Sequence, residues 1–293
     1  MFVVINVDDL GLHPAVRRAV EQLAGEGRVT SSTLLANGPD LEQAAGLKDR
    51  LPDLGLGAHL NILRGRPVSD ARDVSTLVGP DGLFPGNYVE LFKAYLLRRL
   101  DLDQVRREWS AQIEKLLGLG IPLTHLDGEK HVHAWPRLMA LACELARRYH
   151  LGWVRRPREP QPLSRWDKGS LRARVLNTFA LAHPRRNGVR WPDRVWGVAD
   201  QGGDLLPGRF EKAMAGVRKE RGGPETVVEI VVHPGDPRPG DPPLPPEFGP
   251  MRVDAQWRTE FTALQNPAWA QAFARLGARP THYGRLGPSA HGA

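Results

Sequence analysis

Cysteine is almost absent from this chain. Cys143 is the only cysteine among 293 residues, so no disulfide can form within the chain. It stands in an apolar segment, residues 138–146, which is typical of a small buried side chain. Disulfides persist in oxidising compartments, so the single cysteine agrees with a reducing cytoplasm, which is the expected location.

Long hydrophobic runs are also missing. No apolar run approaches the ~20 residues of a membrane-spanning helix, so no membrane span is expected. Residues 1–7 are too short for a signal peptide and are followed at once by Asp8. Hydrophobic residues nevertheless make up 41% of the chain, which supports a full core. Because no repeat or linker divides the sequence, we predict a single domain over residues 1–293.

Nucleic-acid-binding motifs are the third absence. The formal net charge is +7, and much of the excess is arginine scattered through predicted helices. No recognisable binding motif and no aromatic platform for base stacking accompanies this charge. We therefore expect a solvated basic surface and no nucleic-acid partner, although the charge still favours anionic ligands.

What the sequence does contain is a strand and helix alternation in steps of roughly 25 residues, which is typical of βα units. The predicted strands are residues 2–7, 29–36, 54–62, 121–127, 151–155, 195–198 and 226–232. The first predicted helix begins at Pro14. The others cover residues 41–51, 88–119 (divided near Asp101), 136–149, 171–182, 206–221, 252–264 and 267–276. The pattern predicts an α/β fold with a parallel sheet or barrel. A loop excursion at about 64–87 and a Pro-rich loop at 237–250 interrupt it.

Acids and histidines follow several of these strands. Asp8 and Asp9 end the first strand, His59 ends the third, and His233 follows the last. Residues 124–133 follow a middle strand and hold three histidines, Asp127 and Glu129. Because parallel strands of a βα fold end on the same face, these side chains are expected to converge. Each feature alone also has an ordinary structural explanation, such as a turn, a helix cap or a hydrogen-bonded core histidine.

Such a set suits metal-assisted hydrolysis. Carboxylate and imidazole are the usual ligands of Zn²⁺ and similar ions, and a bound ion activates water and polarises a carbonyl. A neighbouring carboxylate can then act as general base, and a histidine can protonate the leaving group. Asp8 and Asp9 suit a division between base and ligand, but their spacing does not decide which is which.

Five segments resemble the YdjC-like carbohydrate deacetylases, which include chitooligosaccharide deacetylases and relatives in hopanoid biosynthesis. The resembling segments are residues 6–11, 29–33 with 37–38, 57–60 with 65–68, 124–128 with 131–133 and Pro136, and 233–235. They occur in the family's order and cover the first 160 residues well, whereas about 161–223 carries little resemblance and is expected to be variable. The resemblance implies a distorted (β/α) barrel of the polysaccharide-deacetylase type and a divalent ion, Mg²⁺ or Zn²⁺. It also implies removal of an N-acetyl group from an amino sugar.

The resemblance also assigns roles by position. Asp8 resembles the general base and His233 the proton donor, while Asp9 and His59 resemble metal ligands. The family's other metal histidine falls where this chain has Glu129. Three outcomes follow: Glu129 serves as ligand and favours Mg²⁺ or Mn²⁺, His131 replaces it, or metal affinity is lost. His125 and His133 are candidates for orienting the ligands.

Two further residues are candidate substrate contacts. Trp135 could stack on a sugar ring, although core packing explains a tryptophan equally well. Arg155 and Arg156 follow a strand and could bind a carboxylate, a phosphate or a catalytic aspartate. The alternative is that both belong to the charged surface. Of the two, Arg156 is predicted to contact the substrate.

The leading hypothesis is a metal-dependent hydrolase of an N-acetylated amino sugar or short oligosaccharide. A non-catalytic carbohydrate-binding relative with an altered metal site is one alternative, and a hydrolase of another amide or ester is a second. A homodimer is compatible with the resemblance, but the sequence shows no distinct interface stripe.

Overall fold

The computed structural model describes residues 1–160, 166–183, 188–221, 225–249 and 253–286, without the side chains of 218–221 and 253–255. Two of the gaps, 161–165 and 184–187, and most of a third, 222–224, fall in the segment expected to be variable. That part of the expectation therefore lies outside the described residues.

A parallel sheet of eight strands forms the centre of the described molecule. The strands are β1 (Phe2–Leu10), β2 (Ser31–Leu34), β3 (Gly55–Leu60), β4 (Leu123–Gly128), β5 (Trp153–Val154), β6 (Arg194–Trp196), β7 (Val227–Val232) and β8 (Arg279–Thr281). Their order is β5-β4-β3-β2-β1-β7-β6, and β8 pairs with the start of β1. Near the two ends of this order, Trp153 of β5 forms an isolated parallel bridge with Arg190. The sheet thus curls into the distorted barrel that the resemblance implied.

Helices surround this sheet. They are α1 (Pro14–Gly25), α2 (Leu41–Ala45), α3 (Leu47–Arg50), α4 (Tyr88–Leu96), α5 (Leu102–Gly118), α6 (Pro136–Arg148), α7 (Lys168–Leu181), α8 (Pro207–Arg221), α9 (Val253–Leu264) and α10 (Ala268–Leu276). Within the described ranges no helix is both long and apolar enough to cross a membrane. The predicted helix 41–51 is two short helices, and the predicted break near Asp101 separates α4 from α5.

The two faces of β1 bury different kinds of side chain. Val3, Ile5 and Val7 belong to the large apolar core between sheet and helices. The alternate residue Val4 packs with Trp153, Val227 and Tyr283 in a small second cluster that closes one end of the barrel interior. Asn6 and Asp8 continue this inward face toward the other end. Because successive side chains of a strand alternate, the last inward residues of β1 reach the carboxyl ends of the strands.

A glycine makes room for a histidine inside the barrel. A Cβ on Gly57 would lie 2.5 Å from Cε1 of His125, closer than packed atoms approach. His125 fills this space, and its ring lies 4.6 Å, centre to centre, from Tyr283. His125 is therefore buried between strands, below the level at which the strands end.

The predicted excursion at 64–87 is held against α5. The Glu108 carboxylate accepts hydrogen bonds from the backbone N–H groups of Val68 and Ser69, each at 2.9 Å. Glu108 also accepts a hydrogen bond from Gln112 of the same helix. The excursion is thus fixed beside the end of β3.

Candidate active site

A cavity of about 670 Å³ opens where the strands end. Its lining includes six residues that the sequence placed at strand ends, Asp8, Asp9, His59, Glu129, His131 and His233. The expected convergence is therefore present in the structure, because parallel pairing carries β1, β3, β4 and β7 to one edge.

Three ligand-type side chains meet on the cavity floor. Asp9, His59 and Glu129 each offer one atom, these atoms all lie within 4.8 Å of one another, and all three residues are buried. His59 Nε2 lies 3.4 Å from Asp9 Oδ1 and 3.8 Å from Glu129 Oε2. Two hard oxygens and one imidazole nitrogen form a donor set that suits a small divalent ion.

The two carboxylates of this cluster, Asp9 and Glu129, repel each other. Burial and the neighbouring Glu129 carboxylate raise the pKa of Asp9 to about 6. Burial alone would also raise the pKa of Glu129, but hydrogen bonding to His59 and the charge of Arg64 lower it to about 2. A cation held between the two carboxylates would relieve the repulsion, so the electrostatics of the cluster are compatible with a divalent ion.

Asp127 fixes the ring of His59. Nδ1 of His59 lies 2.8 Å from Asp127 Oδ1, and an ionised carboxylate can only accept, so Nδ1 carries the proton. Thr33 donates a hydrogen bond of 2.9 Å to the other oxygen of Asp127. Nε2 of His59 therefore faces Asp9 and Glu129 as a potential ligand atom, the usual arrangement of a metal-binding histidine.

Asp8 lies beside the cluster but is bound to Arg155. Both oxygens of Asp8 accept hydrogen bonds of 2.7 Å from the guanidinium, which follows β5. Burial would raise the pKa of Asp8, but the Arg155 charge and hydrogen bonds outweigh it and hold the pKa far below its ordinary range. Asp8 is consequently ionised at neutral pH.

A second group, Asp8, His59 and Asp127, also has donor atoms within 4.8 Å of one another. Arg155 occupies this group, because its guanidinium lies 2.7 Å from both Asp8 and Asp127. A cation there would face a buried guanidinium. We therefore favour Asp9, His59 and Glu129 as the candidate metal site.

His233 lines the same cavity. Its Nε2 lies 3.8 Å from Asp8 Oδ2, and its ring is partly exposed to the cavity. Glu260 of α9 accepts a hydrogen bond from the backbone N–H of His233 and lies 4.0 Å from Nδ1. His233 is thus held near the candidate base with one ring nitrogen directed toward it.

The other histidines of residues 124–133 have separate positions. His131 lines the cavity, but it is outside the three-residue cluster, and burial lowers its pKa well below the ordinary value. Nε2 of His133 donates to the carbonyl of Arg155 at 2.9 Å, so His133 supports the loop that carries this arginine. His125 lies deeper in the barrel against Tyr283. This geometry favours Glu129 over His131 as the third ligand.

Two expected substrate contacts lie away from the cavity. Trp135 has no exposed surface and packs among Tyr88, Phe92 and Tyr95, so it belongs to the core. Arg156 donates to the carbonyl of Ala180 and lies over the ring of Trp191. These positions correct both expectations. The helix begins immediately after Trp135, whose ring packs into the core, and Arg155 is the arginine that lies inside the barrel against Asp8.

Backbone strain is concentrated at the cavity. Asp9, Lys130 and His131 line it and have φ values of 66°, 51° and 56°. Residues other than glycine seldom adopt this left-handed conformation, and it persists where surrounding contacts enforce it. In this conformation Asp9 Oδ1 lies 3.4 Å from His59 Nε2, whereas the carboxylate of its neighbour Asp8 binds Arg155.

Sequence reasoning assigned no role to Arg64, Asp127 or Glu260. Arg64 Nε lies 3.3 Å from Glu129 Oε1, and both side chains are nearly buried. Asp127 had a usable signal, because it is the inward residue of β4 beyond His125. Arg64 and Glu260 had none, since each reaches the site through a contact with no pattern in the sequence.

Comparison with known protein families identifies the family of this chain. The model of the YdjC-like protein family matches residues 2–275. The chain belongs to the YdjC-like family.

Curated relatives of the YdjC-like chain carry the name carbohydrate deacetylase. The human protein is 33% identical over 297 residues, covering 94% of this chain and 88% of its own length. A Geobacillus stearothermophilus protein is 37% identical over 150 residues, about half of each chain (51% and 58%). A putative cellobiose-phosphate cleavage protein from Enterococcus faecalis has a similar fold, with a TM-score of 0.71, 23% identity and coverage of 97% and 98%.

Proposed function

We propose that this protein is a metal-dependent hydrolase that removes an N-acetyl group from an amino sugar or short oligosaccharide. The observation that carries this proposal is the meeting of Asp9, His59 and Glu129 beside Asp8 and His233 in one cavity. The carbohydrate deacetylase name of its relatives supports the substrate class. The single cysteine remains the basis for expecting a cytoplasmic location.

Asp9, His59 and Glu129 would hold the divalent ion, either Mg²⁺ or Zn²⁺. When bound, such an ion polarises the acetyl carbonyl and lowers the pKa of a water molecule. A ligand set with two carboxylates offers more hard oxygen ligands than a set with two histidines. This difference favours Mg²⁺.

Asp8 is the proposed general base. Its low pKa keeps it ionised, and Arg155 fixes the plane of the carboxylate by binding both oxygens. A fixed carboxylate beside the ligand cluster can accept a proton from water as the water attacks the acetyl carbon. Arg155 thereby orients the base without contacting the substrate.

His233 is the proposed proton donor. It lies near Asp8 at the border of the cavity, where a sugar nitrogen can reach it. Loss of acetate requires a proton on that nitrogen, because an amide nitrogen leaves as an amine. The backbone hydrogen bond from His233 to Glu260 holds the donor in place.

Cations line another part of the cavity. The cations are Lys130, Lys168 and Arg172. In the part of the chain that the structure describes, none of the three forms an ion pair. A sugar that carries a phosphate or a carboxylate would neutralise part of this charge. We therefore include anionic acetylated sugars among the candidate substrates.

Acetate release from N-acetylglucosamine oligomers tests the proposal. Asp8→Asn removes the base while nearly preserving shape, so release should fall at least about 100-fold. Glu42→Gln changes an exposed acid outside the cavity and is the matched control. Equal rates for Asp8→Asn and the control would refute the assigned base.

A further inference from the structure

Glu129 has two oxygens with different neighbours. Oε2 faces His59 Nε2 at 3.8 Å, on the side of the ligand cluster. Oε1 faces Arg64 Nε at 3.3 Å. Only one oxygen of Glu129 is therefore directed toward the position that a cation would take between Asp9 and His59.

Arg64 is held firmly on the far side of Glu129. Its Nη1 donates 2.7 Å to the carbonyl of Phe248, and its own carbonyl accepts hydrogen bonds from Asn37 and Asn61 at 2.9 and 2.8 Å. Asn61 Oδ1 also accepts from the backbone N–H of Arg64 at 3.1 Å. With its backbone and its guanidinium both fixed, Arg64 cannot easily move away when Glu129 shifts.

The charge of Arg64 matters because the cluster contains two carboxylates. Asp9 and Glu129 together carry two negative charges when ionised, and Arg64 supplies one positive charge next to Glu129. A buried carboxylate is costly unless a cation or hydrogen bonds compensate it. Arg64 therefore compensates Glu129 without occupying the oxygen that faces His59.

We propose that Arg64 is a positioning residue that restricts Glu129 to a single coordinating oxygen and thereby makes the site select small divalent ions over Ca²⁺. Ca²⁺ takes 6–8 oxygen ligands and commonly binds a carboxylate through both oxygens, whereas Mg²⁺ needs fewer, closer ligands. Because one oxygen of Glu129 is held against Arg64, Ca²⁺ cannot bind this carboxylate through both oxygens. This inference rests on the proposed metal site.

The experiment measures cation affinity and does not depend on turnover. Metal-stripped protein is titrated with Mn²⁺, as a small reporter ion, and with Ca²⁺ by calorimetry. Arg64→Gln frees Glu129 and removes the compensating charge. The expected result is a fall of about tenfold in the ratio of the Ca²⁺ Kd to the Mn²⁺ Kd. Arg66→Gln, at a neighbouring arginine outside the ligand cluster and the cavity lining, is the matched control and should keep the wild-type ratio.

A second pair of variants keeps the test decisive if Arg64→Gln folds poorly. Arg64→Lys retains the charge and should retain more of the discrimination than Arg64→Gln. Glu129→Gln removes the carboxylate, and Arg64→Gln added to it should change the ratio no further, because the two residues act as a unit. A ratio within twofold of wild type in both Arg64 variants would overturn the inference. Failure of the wild-type protein to bind Mn²⁺ would instead overturn the proposed metal site.

Discussion

At the scale of single residues, Arg155 is the most heavily engaged charge near the site. Its fully buried guanidinium lies 2.7 Å from Asp8, from Asp127 and from Glu229. Tyr283 donates a further hydrogen bond of 2.7 Å to Glu229. This network joins the proposed base to the carboxylate that orients His59. Removing the arginine would leave several buried acids without their counter-charge.

Arg155→Met should therefore destabilise the fold by about 3–5 kcal/mol, the usual result of breaking a buried ion pair on one side. Urea unfolding measures the loss. Arg209→Gln removes a partly exposed arginine paired with Asp200 and Asp204 and should cost less than about 1 kcal/mol. A loss for Arg155→Met no greater than for this control would show that the network does not stabilise the fold.

His233→Gln separates proton donation from metal binding. Because His233 lies outside the ligand cluster, this variant should retain its bound ion. Acetate release should fall by about 100- to 10,000-fold, as expected for loss of a general acid. Elemental analysis and an acetate assay measure the two effects on one sample. Loss of the ion together with activity would make His233 a ligand and contradict its role as donor.

At the scale of elements, the ends of the strands were predictable and the contacts between elements were not. Asp8, Asp9, His59 and His233 could be placed together because parallel strands end on one face. β8 has three residues, one of them Pro280, and gives no strand pattern. The burial of Trp135 depends on α4, whose Tyr88 and Phe92 pack on its ring. The contact between Arg64 and Glu129 could not be predicted for the same reason, since only the folded excursion brings the two residues together.

Helix α7 provides the element-scale prediction. Lys168 and Arg172 lie one helical turn apart and line the cavity together. Changing both to glutamine should lower kcat/KM about tenfold for a phosphorylated N-acetylated sugar and leave the neutral sugar within about twofold, because only the anion gains from the charges. Arg174→Gln is the control on the same helix, where the guanidinium lies 4.1 Å from the ring centre of Trp166. Equal losses on both sugars would mean that these cations do not select charge.

At the scale of the whole molecule, Glu159 connects parts of the chain on either side of α7. Its carboxyl group accepts hydrogen bonds from the backbone N–H groups of Gly197 and Ala199, each at 2.8 Å. Burial raises the pKa of Glu159 to about 8, although these hydrogen bonds oppose the rise. The buried carboxyl group therefore retains its proton far above the range of an exposed glutamate.

This shift makes stability depend on pH in a defined direction. The folded protein keeps the Glu159 proton up to about pH 8, while the unfolded chain releases it near its ordinary pKa of 4.5. The contribution is therefore complete below the unfolded pKa and is lost as pH rises toward 8. Glu159→Gln cannot titrate, so its Tm should fall less than the wild-type Tm between pH 5 and pH 8. Thermal melts of the wild type, Glu159→Gln and the control Glu42→Gln at both pH values measure this difference. The same fall in Tm for all three proteins would contradict the prediction.

The proposed hydrolysis depends on a cation held by Asp9, His59 and Glu129. The most direct test is the rate of acetate release by chelator-stripped protein as Mg²⁺ or Zn²⁺ is added back. We predict no release without the ion, and recovery that saturates at a single ion per chain in the wild type but not in Asp9→Asn. Full activity in the stripped protein, with no ion detected, would contradict a role for the cation in hydrolysis.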